Sequence, residues 1–218
     1  MKRETQGMIG WFLVQVLFVV FFLGCAKTSK PIKVAVTGDS LASRILVEEL
    51  EKVFPEEFEF EHYGTGGANI YEMENRTRIS LDVKVPGRLG CDEYDWVIYW
   101  IGVNDYKSPE VELNLKDFYL TAKTAGVDNV IAITIPPYGD YHTWTPERAR
   151  YSGYLNRMFS NYSDNVLWSG DVLATWNNMN KMKKKYTTDG LHLTREGCRV
   201  IAEKLSSITI HPGNKKHD

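Results

Sequence analysis

Ile32-Lys33-Val34-Ala35-Val36 followed by Gly38-Asp39-Ser40-Leu41 is the stretch on which the reading of this chain turns. An apolar, β-branched run of this kind reads as a strand, and the stretch from Ser43 to Lys52 reads as a helix. Ser40 therefore stands between the end of a strand and the mouth of a helix. In that position a hydroxyl projects from a tight turn, and the backbone N–H groups of the helix start face any negative charge that forms beside it. The same residues also describe an ordinary N-cap serine behind a glycine turn. The rest of the chain has to decide between the two.

The strand and helix signals alternate along the chain. Strand-like runs at Ile32 to Val36, Phe58 to Tyr63, Trp96 to Ile101, Asn129 to Ile135 and Asn165 to Trp168 are separated by helical stretches. These run from Ser43 to Lys52, Ile70 to Arg78, Val111 to Ala125, Pro146 to Phe159 and Arg195 to Ile208. Chemical punctuation supports several boundaries: Gly126 past a helix end, Thr145-Pro146 as cap and first turn, and Thr194 as an N-cap. Alternation of this kind means parallel strands joined by crossover helices. Runs such as Val130-Ile131-Ala132-Ile133 are apolar throughout, as in strands covered on both faces. The expected fold is α/β, a three-layer sandwich with a central, mostly parallel five-stranded sheet and helices on both faces.

In such sheets sites form outside the carboxyl ends of the strands, and three polar blocks fall there. Ser40 follows the first strand, Gly64-Thr65-Gly66-Gly67-Ala68-Asn69 the second, and Gly102-Val103-Asn104-Asp105 the third. Near the C-terminus stands Asp189-Gly190-Leu191-His192. Asp and His three apart on a turn share one face, so the Asp189 carboxylate can accept from Nδ1–H of His192 and leave Nε2 facing a serine. Each block has a plain alternative as a glycine turn or an Asx turn. Their joint occurrence, each just after a strand, points to nucleophilic acyl transfer.

From Ile32 to Ile208, nearly the whole of the chain past its N-terminal segment, the sequence resembles the SGNH hydrolase superfamily, also called GDSL esterases or lipases. All four of its blocks are present. The resemblance implies a flavodoxin-like SGNH hydrolase fold and a serine esterase that works through an acyl-enzyme without a cofactor. It implies Ser40 as nucleophile, His192 as general base and Asp189 as its orienter. The oxyanion hole would be the N–H groups of Ser40 and Gly67 with the side-chain amide of Asn104. Asp39 and Asp105, which flank those positions, read as turn-stabilising residues.

At 218 residues, with 43% hydrophobic and 25% charged residues, the chain has the size and composition of one globular domain. Its first 25 residues differ. Lys2 and Arg3 precede an uncharged apolar stretch from Met8 to Leu23 that ends in Gly24-Cys25, the layout of a secretory signal peptide. Phe22-Leu23-Gly24-Cys25 resembles a bacterial lipobox, in which the cysteine is lipidated; Phe22 stands where leucine is usual. The alternatives are an uncleaved anchor helix, since about nineteen residues span about 28 Å at 1.5 Å each, or simple secretion. The expected organisation is residues 1–25 as signal peptide or anchor, 26–31 as tether, 32–210 as the hydrolase domain and 211–218 as a disordered tail. The domain is then expected outside the cytoplasm, attached to a membrane through Cys25.

A formal net charge of −2 gives no electrostatic footprint for nucleic acid. The basic run Lys181 to Lys185 reads as a solvated surface stretch, with contact to anionic headgroups as a minor alternative. Cys91 and Cys198 fall at opposite edges of the expected sheet, about 20 Å apart, and so read as separate thiols. No spacing of Cys, His or acidic residues suggests a metal site. The loops Pro136 to Thr145 and Gly170 to Lys185, expected over the site, carry Tyr138, Tyr141, His142, Trp144 and Trp176, residues able to stack on sugar rings or line an acyl groove. The expected substrate is an O-acyl group on carbohydrate or cell-wall material. Lysophospholipase or thioesterase activity is the alternative, and a glycan-binding surface lipoprotein without turnover is a second one.

Overall fold

The computed structural model describes residues 30–73, 94–106, 110–138, 145–175 and 178–209, with side chains described for all but 178–180. The chain separates into two units at Lys30, and the second, from Pro31 onward, holds the fold. The signal-like segment, Cys25, Cys91 and the tail 211–218 lie outside the described residues.

Five strands form one sheet: β1 Ile32–Gly38, β2 Phe58–Gly64, β3 Trp96–Trp100, β4 Asn129–Ile133 and β5 Asn165–Leu167. Their order is β2-β1-β3-β4-β5 and every pairing is parallel. Among the described residues the helices with both ends in view are α1 Arg44–Val53, α2 Val111–Thr124, α3 Pro146–Phe159, the single turn α4 Gly170–Leu173, and α5 Arg195–Thr209. The helix expected from Ile70 to Arg78 is seen at residues 70–73, and the rest of it lies outside the described residues. The sheet order reverses direction at β1. Right-handed crossovers then place α1 on one face and α2 and α3 on the other. Side-chain parity along β3 agrees. Tyr99 packs edge-on against Phe118 of α2 and Phe159 of α3. Trp96, of the opposite parity, packs against Phe58, which in turn meets Phe54 at the end of α1. Helix α5 lies against α1. This is the expected three-layer α/β fold, with a sheet that is parallel throughout.

Caps behave as the residue types require. Ser43 accepts from the Leu46 N–H at 3.3 Å, Thr145 from the Arg148 N–H at 3.3 Å, and Thr194 from the Gly197 N–H at 3.2 Å. Strand ends differ from the sequence reading because tertiary partners set them. Strand β4 stops at Ile133 rather than Ile135, since Asn156 of α3 takes the Ile135 N–H at 2.8 Å. Strand β3 stops at Trp100 rather than Ile101, where the chain turns at Gly102. Strand β1 runs on to Gly38, still paired with Gly64 and Trp100.

The stretch Gly170 to Lys185, expected as a loop over the site, contains α4 and a two-stranded hairpin, β6 Ala174–Thr175 with β7 Asn178–Met182. Met182 is buried and α4 lies against α5, so this segment closes the core beside α5. Tyr138 is likewise buried rather than displayed. Tyr141, His142, Trp144 and Trp176 lie outside the described residues. Cys198 is a free, buried thiol, and burial pushes its pKa up to about 11. No described helix is long and apolar enough to cross a membrane.

Candidate active site

Ser40 sits just past β1 because the chain cannot continue straight there. Gly38 has φ +140, and a Cβ on it would lie 1.9 Å from the Trp100 carbonyl oxygen, so the turn requires glycine. The next residue, Asp39, donates its N–H to that same Trp100 oxygen at 3.1 Å. Its carboxyl oxygen Oδ1 accepts the Leu41 N–H at 2.8 Å, closing an Asx turn around Ser40. The nucleophile candidate is thus held from both sides, while its own side chain reaches outward.

His192 reaches it from the turn before α5. The Ser40 Oγ lies 3.0 Å from His192 Nε2, and His192 Nδ1 lies 2.7 Å from Asp189 Oδ2. The other Asp189 oxygen accepts the N–H groups of Leu191 at 2.9 Å and His192 at 2.8 Å. Burial works to raise the Asp189 pKa, but the His192 hydrogen bond and these two N–H groups outweigh it and hold it near 2. The carboxylate is therefore charged at any pH where the histidine could act as a base. Proton transfer from Ser40 to His192 along this line needs no rearrangement.

The Gly64-to-Asn69 loop forms a turn in which the Thr65 carbonyl accepts the Ala68 N–H at 3.1 Å. Gly67 occupies its third position with φ +78, the value a type II turn requires and glycine supplies. The Thr65 N–H bonds the Gly38 carbonyl at 3.0 Å, tying this loop to the nucleophile turn. In the turn past β3, Asn104 donates one amide hydrogen to the Ala68 carbonyl at 2.9 Å. An amide carries two such hydrogens, so one is left to donate elsewhere. Asn104 is thereby fixed beside Gly67. Asp105 accepts the Ile70 N–H at 2.9 Å and holds the far end of the same loop. The structure brings Ser40, His192 and Asp189 into contact, and it ties the loops that carry Gly67 and Asn104 to each other and to the nucleophile turn.

Two supports were not visible in the sequence. Thr187 Oγ1 donates to the His192 carbonyl at 2.9 Å and accepts the Gly190 N–H at 2.8 Å, so it braces the histidine turn. Arg195, at the start of α5, forks between Glu48 at 2.7 Å and Glu49 at 2.8 Å on α1. Glu49 is buried, and hydrogen bonds from Lys52 and Arg195 lower its pKa against the effect of burial. This pair fixes the histidine segment to the helix that follows the serine. Its partners are 146 residues apart in sequence, which is why no local pattern announces it. Among the described residues no group of three or more His, Cys, Asp or Glu side chains could hold a metal ion.

The match to known families is decisive. Residues 34–205 fit the model of the GDSL-like Lipase/Acylhydrolase family. The chain belongs to that family. This GDSL hydrolase has no match among curated proteins. Solved structures share its fold at low identity. One is a catalytic mutant of an acetylxylan esterase from Geobacillus stearothermophilus, 18% identical over 82% of this chain and 94% of that one, with a TM-score of 0.59. Another is a carbohydrate acetylesterase family member from Sinorhizobium meliloti, 12% identical over 84% and 98%, with a TM-score of 0.60. A third is a lipolytic protein of the G-D-S-L family from Veillonella parvula, 16% identical over 82% and 98%, with a TM-score of 0.59. This GDSL hydrolase is a carboxylic ester hydrolase by family.

Proposed function

We propose that the enzyme hydrolyses carboxylic esters through an acyl-enzyme on Ser40, and that its substrates are O-acyl groups on carbohydrate or cell-wall material. The observation that carries the mechanism is the continuous line from Ser40 Oγ through His192 to Asp189, at 3.0 and 2.7 Å. His192 Nε2 takes the Ser40 proton as Oγ bonds to the ester carbonyl carbon. The oxyanion receives the N–H groups of Ser40 and Gly67 and the free hydrogen of the Asn104 amide. His192 then hands its proton to the departing alcohol oxygen, leaving the acyl group on Ser40. Water attacks with His192 again as base, the acid departs, and the serine regains its proton.

Two observations favour a short acyl group on a sugar. The acetylxylan esterase and the carbohydrate acetylesterase share this fold. A cavity of about 210 Å³ opens at the carboxyl ends of β4 and β5, lined by Pro136, Tyr138, Ser152, Trp168 and Asp171. The Trp168 side chain is exposed there, an aromatic face beside a carboxylate, which is the pairing that stacks and hydrogen-bonds a sugar ring. Strand β4 adjoins β3, the strand that Asn104 follows, so the cavity lies at the same edge of the sheet as the site, and in this reading it takes the sugar. Comparing kcat/KM for p-nitrophenyl acetate, butyrate and palmitate, with acetate release from acetylated xylan, tests it. Activity falling at least tenfold from acetate to palmitate, with release from the glycan, is expected. Preference for palmitate and no release from glycan would overturn the substrate class and favour a lysophospholipase or thioesterase.

We further propose that the domain is exported and tethered through a lipidated Cys25, on the charged start, apolar middle and Gly24-Cys25 end of the N-terminal segment. Mass spectrometry of the membrane-extracted protein should find an acylated Cys25 as the first residue. An intact Met1, or an unlipidated N-terminus near Cys25, would contradict it.

A further inference from the structure

Two buried carboxyl groups stand directly beside the reacting positions and take no part in the reaction above. Asp39 precedes Ser40 and Asp105 follows Asn104; they are 1% and 2% exposed. Each commits Oδ1 to a backbone N–H, of Leu41 and Ile70 respectively. Each leaves Oδ2 buried without a hydrogen bond of ordinary geometry, although the Val103 N–H also favours the charged form of Asp39. A buried carboxylate with a bare oxygen is among the costlier arrangements in a protein, and the cost falls sharply if the group keeps its proton.

We propose that Asp39 is a positioning residue that works as a neutral carboxylic acid, holding the Ser40 turn without placing a second negative charge beside the oxyanion. The inference rests on the acyl-enzyme reading of Ser40. The surroundings favour the proton. Burial pushes the Asp39 pKa up to about 7 against the Leu41 and Val103 N–H groups, and the charge of Asp105 pushes it further in the same direction. His192, when protonated, joins those two N–H groups in opposing the shift. Asp105 is raised to about 6 by burial, opposed by the Ile70 N–H and assisted by Glu72. The Asp105 charge therefore helps Asp39 keep its proton. Ionising Asp39 would set a carboxylate one residue from the attacking oxygen as that centre gains negative charge, so turnover should fall on the alkaline side.

Asp39→Asn keeps an oxygen for the Leu41 N–H and is uncharged at every pH. Two measurements separate the parts of the inference. The first is the melting temperature against pH. Between about pH 4 and 7 the folded wild type retains a proton that the unfolded chain gives up, so Asp39 makes stability fall as pH rises through that window, and Asp39→Asn should lack that part of the fall. This readout does not depend on Ser40 being the nucleophile. The second is kcat/KM against pH for p-nitrophenyl acetate. Wild type should lose activity above about pH 7, Asp39→Asn should keep its activity there, and Asp105→Asn should move the loss to lower pH by removing the charge that helps Asp39 hold its proton. Identical melting profiles in wild type and Asp39→Asn, or an unchanged alkaline loss in Asp39→Asn, would overturn the proposal. If Asp39→Asn does not fold, the shift in Asp105→Asn decides, and an unmoved alkaline limb there would overturn it. Failure of Ser40 to react with a phosphonate would instead overturn the acyl-enzyme reading beneath it.

Discussion

Ser40→Ala is expected to lower kcat for ester hydrolysis by on the order of 10⁵ or more, because it removes the atom that forms the covalent bond and leaves only binding and the oxyanion donors. The fold should not notice. Ser40 is half-buried and its hydroxyl bonds only to His192 among the described contacts, while the turn around it is held by Asp39 and Gly38. Stability should therefore stay within about 1 kcal/mol of wild type, the range of substitutions away from the core. A variant with a normal melting curve and more than a few per cent of wild-type activity would mean that another group attacks the ester.

Asn104→Ala is expected to lower kcat by about 10² to 10³ with little change in KM, since its free amide hydrogen acts mainly on the oxyanion of the transition state. The same substitution removes the 2.9 Å bond to the Ala68 carbonyl. Ala68 is buried, so its carbonyl loses that donor and a stability cost of about 1 kcal/mol is expected, too small to unfold the domain. An effect confined to KM would make Asn104 a substrate-binding residue and take it out of the oxyanion hole.

The order of layers, the parallel sheet and the positions just past its strands were legible because each rests on local signals. Helix α3 runs from Pro146 to Phe159, as the Thr145-Pro146 cap signals and its apolar spacing require. What could not be read depends on contacts distant in sequence. Strand β4 ends where Asn156 captures the Ile135 N–H, which no pattern within β4 encodes. The β6–β7 hairpin is polar and short, and it is held by Met182 entering the core beside α5. Asp39 was legible as a turn residue and closes an Asx turn around Ser40, whereas Asp105, read the same way, reaches the Ile70 N–H of another loop. Their burial with one bare oxygen each follows only from the packing of three loops against one another. The Arg195 fork to Glu48 and Glu49 belongs to the same class, a long-range ion pair that sets where the histidine turn sits relative to the serine.

The central claim is that Ser40 is the residue acylated during turnover, and the most direct measurement is mass spectrometry of the protein after reaction with a serine-reactive phosphonate ester. One adduct per chain is expected on the peptide containing Ser40, and none on the Ser40→Ala variant. An adduct on any other residue, or an unmodified Ser40 in a preparation that hydrolyses p-nitrophenyl acetate, would contradict it.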